Sequence, residues 1–373
     1  MSKCYNCDTT LTESNRSVEH IILNAVGGRL KSSDLLCVGC NSKMGNSADA
    51  ELAKQFQFLS GHLQVKRDNG AIPTTKGGKL ADGTEINLLS GITPSLAKPK
   101  FSVEQEGDKL VYNVVARSDK EMKTILEGIA KKHTQFDVNH AMSKARKGVE
   151  RLKEPVSFSQ VFGGKLAFRS IAKTAVNFYL YNKGDKENIR HLLPYLFEKD
   201  DLDVVKHFHS KKSLYKKEAG EIIHLLHIVG NKHDKVLYCY VEFFSTHSYL
   251  IMLSEKYNGK NIRYTYAYNI ISKSVVEKKV NLKISRDTFN KLSSGMQDYF
   301  LLVKEKTDRI MKIANKIHTN REIDNITSRA IKDIFEIKYG HEELITQQMI
   351  DEFTERIAND MVEFMYGNDV KDI

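Results

Sequence analysis

The chain contains 373 residues, of which 41% are hydrophobic and 28% are charged, a composition typical of a globular protein with room for two or three domains. It lacks an apolar run long enough to span a membrane, and its first residues lack the charged-then-apolar pattern of a secretory signal, so we expect a cytoplasmic protein without a membrane partner. The net charge of +10 favours an anionic partner, nucleic acid before any other.

Four of the five cysteines form two CxxC pairs, Cys4 with Cys7 and Cys37 with Cys40, separated by 29 residues. A disulfide framework is not expected in a large cytoplasmic chain with so few cysteines. Two CxxC pairs in such a chain predict one structural zinc site with four thiolate ligands. We expect the fifth cysteine, Cys239 in the run VLYCYVEFF, to be a small buried apolar residue.

Reactive side chains lie close together between and just after these pairs. Glu19 and His20 precede an apolar run, Gly27 and Gly28 mark a turn, and Asn41 directly follows the last cysteine. A carboxylate and an amide oxygen are hard ligands of the kind that Mg²⁺ prefers, and an imidazole can accept a proton from water. The pattern therefore predicts a hydrolytic metal site. Because neighbouring residues of an ideal strand point to opposite faces, we expect an irregular strand at the Glu-His pair.

These residues resemble an HNH (ββα-metal) endonuclease of the zinc-stapled type, over about the first fifty residues. The family pattern is roughly CxxC, then [DE]H followed by apolar residues and GG, then LCxxCN or LCxxCH. The matching residues are Cys4, Cys7, Glu19, His20, Gly27, Gly28, Leu36, Cys37, Cys40, Asn41 and Gly45. The middle residue of the HNH name, usually an asparagine on the return strand, has no clear equivalent, and Ser33 or Asp34 is nearest.

The resemblance implies an enzyme that hydrolyses DNA phosphodiester bonds and leaves a 5′-phosphate and a 3′-hydroxyl. It implies that His20 is the general base and that Glu19 and Asn41 hold one catalytic Mg²⁺ or Mn²⁺. The ligands that it implies for structural Zn²⁺ are Cys4, Cys7, Cys37 and Cys40. It also implies a setting in microbial defence.

Local patterns predict the elements that surround and follow this site. We expect strands over 18–26 and 29–36, a helix with its apolar positions from Ala48 onward, and then a Gly-rich linker over 61–100 with one or two short strands. Basic residues of the linker either line a nucleic acid path or are solvated loop charges. They are Lys66, Arg67, Lys76 and Lys79.

The middle of the chain predicts a β-hairpin over 101–117 and helices over 122–132, 138–152 and 166–181. Basic residues flank the apolar stripe of the last of these helices. They are Arg169, Lys173 and Lys183.

Residues 221–284 contain four runs rich in β-branched and aromatic residues, which predict an antiparallel meander. Tyr264, Tyr266 and Tyr268 alternate in the last run and share one face, where they either stack on unpaired bases or pack across strands. The remainder of the chain is predicted to be helical, and its final apolar stripe suits a core or a dimer contact.

The expected fold class is therefore α+β: an N-terminal zinc-bound ββα-metal unit, a mixed helical and antiparallel β region, and a helical C-terminus. The expected domains are a nuclease domain at 1–60, a linker at 61–100, an α+β domain at 101–284 and a helical region at 285–373.

Three functions are compatible with these patterns. The first is a DNA endonuclease, for which a homodimer is attractive because one HNH site cuts one strand at a time. The second is a non-catalytic zinc module that binds nucleic acid. The third is a gated HNH nuclease that acts on RNA, or that an activating ligand or partner protein switches on.

Overall fold

The computed structural model describes residues 2–366 except 90–92, 108, 147, 149–151, 153, 211, 293–295 and 343. Contacts group the chain into two units, each built from two separate stretches. Unit 1 contains Met1–Pro73 and Gln160–Ala314, and unit 2 contains Thr74–Ser159 and Asn315–Ile373. In unit 1 the N-terminal segment is grouped with a stretch that begins at Gln160. The division into domains at 1–60, 61–100, 101–284 and 285–373 stays a prediction.

The N-terminal segment of unit 1 is a minimal hairpin followed by helices. Its elements are β1 (Glu19–His20), a 3-10 turn (Asn24–Val26), β2 (Lys31–Ser32), α1 (Val38–Met44), a π-helical turn (Gly45–Asp49), α2 (Ala50–Gln55) and α3 (Gln57–His62). β1 and β2 pair antiparallel, with Glu19 opposite Ser32. The predicted hairpin is present, but its strands are two residues long rather than eight or nine, because the 3-10 turn interrupts the extended backbone.

A six-stranded antiparallel sheet forms the centre of unit 1. Its strands are β8 (Val205–His207), β9 (Ile223–Asn231), β10 (Val236–Phe243), β11 (His247–Ser254), β12 (Ile262–Asn269) and β13 (Ser274–Val275). Their order in the sheet is β13-β12-β9-β10-β11-β8. The four predicted strands exist, but β12 pairs with β9 instead of β11, so they do not form a simple meander. β9, β10 and β11 are buried along almost their whole length, as expected of strands covered on both faces.

Helix α6 (Lys165–Tyr181) packs on one face of this sheet and against the N-terminal segment. Ile171, Ala175 and Val176 share a core with Ile21 and Phe56. The helix was predicted at almost these bounds. Its basic residues Arg169 and Lys173, which flank the apolar stripe, are buried, because neighbouring elements cover the helix on nearly all sides.

Three short helices and a buried cysteine are the other features of unit 1. The helices are a 3-10 helix (Lys186–Leu192), α7 (Leu193–Leu196) and α8 (Arg286–Asn290). Cys239 is fully buried in β10, as predicted. Burial raises the pKa of its thiol, which makes it an unreactive core residue.

Unit 2 contains two small sheets and several helices. Its strands are β3 (Thr75–Lys79), β4 (Glu85–Leu88), β5 (Pro94–Leu96), β6 (Lys100–Glu106) and β7 (Lys109–Val115). β6 and β7 form the predicted hairpin, whose turn residue Asp108 lies outside the described residues. β3, β4 and β5 form a three-stranded sheet, so the segment predicted as a linker carries more regular structure than expected.

The remaining helices are α4 (Asp119–Ala130), α5 (Val138–Lys144), α9 (Met296–Ile331), a π-helical turn (Lys332–Lys338) and α10 (Gln347–Tyr366). α5 ends eight residues before the bound predicted for it; four of these positions (147 and 149–151) lie outside the described residues, and the other four (145, 146, 148 and 152) are not helical. Positions 293–295, 343 and 367–373 of the predicted helical C-terminus also lie outside them. The α+β fold class with a helical C-terminus is confirmed. Among the helices of the described residues, none is long and apolar enough to cross a membrane.

Candidate active site

The four cysteines of the CxxC pairs come together in space. Their sulfur atoms all lie within 4.8 Å of one another. Cys37 is the N-cap of α1 and Cys40 lies in its first turn, so the helix holds one pair in place. The Sγ atoms of Cys7 and Cys37 are 3.8 Å apart, a separation that a tetrahedral Zn²⁺ with Zn–S bonds of about 2.3 Å would give.

Polar neighbours form hydrogen bonds with Cys7 and Cys40, although burial still raises the pKa of Cys40 to about 12. Hydrogen bonds from the side chain and backbone of Thr9 lower the pKa of Cys7 to about 6, which favours its thiolate near neutral pH. The Nδ2 atom of Asn6 donates to the Sγ atom of Cys40 at 3.2 Å. The donor set, its spacing and these hydrogen bonds fit a structural zinc site.

Two glycines shape the turn that leads from β1 to β2. Gly27 has φ of +97°, in the left-handed region that favours glycine. A Cβ atom on Gly28 would lie 1.8 Å from the carbonyl oxygen of Ile22, a separation at which two atoms cannot coexist. The turn therefore requires glycine at both positions, and it aligns His20 with Lys31 across the hairpin.

Glu19 points into the protein and is only 4% exposed. Its partner is the ammonium group of Lys173 on α6, whose Nζ atom lies 2.6 Å from Glu19 Oε1 and 2.7 Å from Asp49 Oδ2. The same Nζ atom donates to Asn41 Oδ1 at 3.2 Å. Because an ammonium has three N–H donors, these three oxygens satisfy it completely.

Burial and charge act in opposite directions on this cluster. Burial raises the pKa of Glu19, and Lys173 offsets part of that rise. For Lys173, burial opposes the charged form, but the carboxylates of Asp49 and Glu19 outweigh it and raise the pKa. Lys173 is therefore protonated at neutral pH. Two more residues of α6 hold the carboxylates: Ser170 donates to Asp49 at 2.6 Å and Asn177 donates to Glu19 at 3.0 Å.

The oxygens around Lys173 are also suitable ligands for a hard divalent cation. Two carboxylates and an amide oxygen meet at one point, and Mg²⁺ and Mn²⁺ prefer such donors. Next to Glu19, the Oδ1 atom of Asn177 is buried and has no hydrogen-bond partner within the described part of the chain. The oxygens of Glu19, Asp49 and Asn41 are thus chemically suited to a divalent cation. In this structure the ammonium group of Lys173 lies between them.

His20 has a different set of partners from Glu19. Its Nε2 atom lies 3.1 Å from Asp68 Oδ2 and 3.3 Å from Asn24 Nδ2. Burial lowers the pKa of His20, and the hydrogen bond with Asp68 offsets part of that effect. The imidazole is therefore neutral at pH 7, the state required of a general base.

Asp68 also forms ion pairs with two basic residues of the hairpin, Arg29 and Lys31. Its Oδ1 atom accepts from Arg29 at 2.6 Å and its Oδ2 atom accepts from Lys31. The hydrogen bond from Lys31 is the main reason that the pKa of Asp68 is lowered to about 2. One carboxylate thus sits among an imidazole, a guanidinium and an ammonium, which together form a site suited to an anion.

Glu19 and Asn41 both contact the ammonium group of Lys173. His20 instead contacts Asp68 and Asn24. Asp34, one of the two nearest equivalents of the missing asparagine, accepts instead from Ser2 at 3.1 Å. The amide that contacts His20 is Asn24.

Several residues of the two clusters were not predicted as site residues from the sequence, and Lys173 was noted only as a basic residue beside the apolar stripe of its helix. Those residues are Asn24, Lys31, Asp49, Asp68, Lys173 and Asn177. A usable signal existed for two of them: Lys173 and Asn177 lie four residues apart beside the apolar stripe of α6, and polar side chains that a buried helix covers need partners.

Comparison with known proteins agrees with the geometry of the N-terminal segment. Residues 4–57 match the family model described as HNH endonuclease. With its two clustered CxxC pairs, this segment is similar to HNH endonucleases of the CxxC…CxxC zinc type. No curated protein and no solved structure matches the chain. The match supports a nuclease-type function in general terms.

Proposed function

We propose that the protein is a metal-dependent endonuclease that hydrolyses DNA phosphodiester bonds. The observation that carries this proposal is the HNH match of residues 4–57, the segment that holds Glu19, His20 and Asn41. The net charge of +10 favours a nucleic acid as substrate.

His20 is the proposed general base. Its neutral imidazole accepts one proton from the attacking water, whose oxygen forms a bond to phosphorus. The bond from phosphorus to the 3′ oxygen breaks, and the departing oxygen takes a proton from solvent, which leaves a 5′-phosphate and a 3′-hydroxyl. General-base catalysis of this kind contributes about a hundredfold to ten-thousandfold.

Glu19 and Asn41 would hold the catalytic cation, Mg²⁺ or Mn²⁺. When bound, such a cation supplies Lewis-acid stabilisation of the charge that develops on phosphate oxygens. The zinc site keeps the hairpin and α1 together, since a segment of this size buries too little apolar surface to be stable alone.

Arg29 and Lys31 are the proposed contacts to the scissile phosphate. Both lie beside His20 on the hairpin, and both neutralise the carboxylate of Asp68. A phosphate group has more acceptor oxygens than a carboxylate, so it would accept more hydrogen bonds from Arg29 and Lys31. Asp68 would then leave this position when DNA binds.

The positions proposed for the phosphate and for the catalytic cation are both filled by side chains of the protein. This favours a nuclease that must be activated over one that is always active. Asp68 fills the anion position and Lys173 fills the cation position, so both must be vacated before substrate and metal bind together. An activating ligand or partner protein could supply this change, and RNA stays an alternative substrate. The same proposal includes a homodimer and a setting in microbial defence. It also includes a cytoplasmic location, where zinc-binding thiols stay reduced.

The test is cleavage of supercoiled plasmid DNA by the zinc-loaded protein with Mg²⁺ or Mn²⁺. His20→Ala and EDTA should each abolish nicking, while His233→Ala, which alters a histidine with a 94% exposed side chain, should retain it. Loss of activity in both histidine variants would refute the role of His20. DNA binding without cleavage by the wild type would instead favour a non-catalytic zinc module, and cleavage of RNA alone would change the substrate.

A further inference from the structure

Lys173 occupies the point at which the residues expected to bind a catalytic cation converge. Its ammonium group is 2% exposed, and each of its three donors is used by Glu19, Asp49 or Asn41. An ordinary buried ion pair has one partner. Here the cation has three oxygen neighbours that arrive from β1, α1 and the π-helical turn.

The acidic and basic groups of this cluster are unequal in number. Two carboxyl groups, Glu19 and Asp49, face the single ammonium group of Lys173, so the fully ionised cluster has one net negative charge in a buried place. Uncompensated buried charge is costly. A divalent cation at the same position would neutralise both carboxylates.

The two cations cannot share the position. The ammonium nitrogen lies 2.6 to 3.2 Å from its oxygens, whereas Mg²⁺ requires oxygens at about 2.0 to 2.1 Å. A metal bound to the same oxygens would therefore lie within van der Waals distance of the ammonium, with strong repulsion between like charges in a poorly solvated site.

We propose that Glu19, Asp49 and Asn41 form one divalent-cation site in which the ammonium group of Lys173 is the competing occupant. Mg²⁺ or Mn²⁺ then binds only when Lys173 leaves. The proposal rests on the proposed function, and it adds Asp49 as a third ligand and α6 as the element that controls access to the site.

The experiment measures Mn²⁺ binding to zinc-loaded protein without DNA, by the loss of the free-ion signal in electron paramagnetic resonance. Lys173→Met keeps the length of the aliphatic chain and removes the charge. If Lys173 fills the site in more than nine-tenths of the molecules, its removal should tighten Mn²⁺ binding by about tenfold or more. Lys165→Met is the matched control, because Lys165 lies on the same helix and its side chain is 74% exposed.

A second variant tests the third ligand. Adding Asp49→Asn to Lys173→Met should remove most of the gain in affinity. Equal Mn²⁺ affinities for the wild type and Lys173→Met would overturn the proposal, because Lys173 would then be only a structural ion pair. Undiminished affinity in the double variant would overturn the assignment of Asp49.

The loss of a buried cation can also prevent folding, since it leaves two carboxylates without compensation. In that case Lys173→Met is produced with and without Mn²⁺ in the medium, alongside Lys173→Gln. Recovery of soluble, Mn²⁺-containing protein would support the proposal, and failure under both conditions would overturn it.

The binding measurement separates this inference from the proposed function. Tight Mn²⁺ binding by Lys173→Met without any DNA cleavage would retain the cation site and refute the nuclease. Cleavage by the wild type with unchanged Mn²⁺ affinity in the variant would retain the nuclease and refute the competition.

Discussion

His224 links the central sheet to the nuclease-type segment, and this contact should fail at acidic pH. The residue is fully buried in β9. Its Nε2 atom is 2.7 Å from the carbonyl oxygen of Val26, and its Nδ1 atom accepts from the backbone N–H of Phe244 at 3.2 Å. A protonated imidazole can no longer accept that second hydrogen bond. Burial lowers the pKa of His224 to about 4.

The sign and the size of the effect follow from this shift. Between about pH 6.5, where an unfolded histidine titrates, and the folded pKa of about 4, the unfolded chain binds more protons than the folded chain. Stability therefore rises with pH across this window and is lost as the pH falls through it. For this single histidine, lowering the pH from about 7.5 to about 5 should reduce the free energy of unfolding by about 2 kcal/mol.

The perturbation is His224→Gln, whose amide can still donate to the carbonyl of Val26 but does not titrate. At about pH 7.5 the variant should be less stable by about 1 to 3 kcal/mol, because the N–H of Phe244 loses its acceptor. Between the two pH values it should lose about 2 kcal/mol less than the wild type does. The chain has no tryptophan, so urea unfolding is followed by far-UV circular dichroism.

The control is His233→Gln, which alters an exposed histidine of the β9-β10 turn and should keep the full pH dependence of the wild type. Other buried histidines and zinc release destabilise all three proteins alike at low pH, so only the differences between them are interpreted. An equal loss of stability in the wild type and His224→Gln would refute the assignment of a neutral, buried imidazole at this position.

Three further predictions concern the zinc site, the turn and the anion position. Cys7→Ser should lower bound zinc well below one ion per chain by elemental analysis while Cys239→Ala keeps it, and retained zinc in Cys7→Ser would contradict the four-thiolate site. Gly28→Ala should yield little soluble protein because its Cβ would lie 1.8 Å from a backbone oxygen, whereas Gly45→Ala, which meets nothing within 4 Å, should be neutral; normal yield and melting temperature for Gly28→Ala would contradict the turn geometry. Asp68→Asn should tighten binding of a DNA oligonucleotide by the zinc-loaded protein, without added Mg²⁺ or Mn²⁺, severalfold by fluorescence anisotropy, and the gain should shrink as salt is added; unchanged affinity would show that phosphate does not use this position.

Much of the fold was predictable because local patterns are strong in this chain. α6 has a long apolar stripe and appears within one residue of its predicted start, and the hairpin of β6 and β7 follows from two alternating runs around a Gly-containing turn. The order of the central sheet was not predictable in the same way. Whether β12 pairs with β11 or β9 depends on contacts between segments that are distant in sequence.

The candidate site was likewise predictable from the sequence in part only. The two CxxC pairs, the Glu-His pair and Asn41 carry their chemistry in residue type and spacing, so the sequence by itself predicted the four-cysteine cluster and the HNH resemblance. Only the tertiary structure decided what surrounds them. Lys173 meets Asn41 across 132 residues of sequence and Asn177 meets Glu19 across 158, distances over which spacing carries no information. These contacts exist because α6 is buried between the sheet and the nuclease-type segment, where each polar side chain must find a partner of opposite charge or complementary hydrogen-bonding capacity.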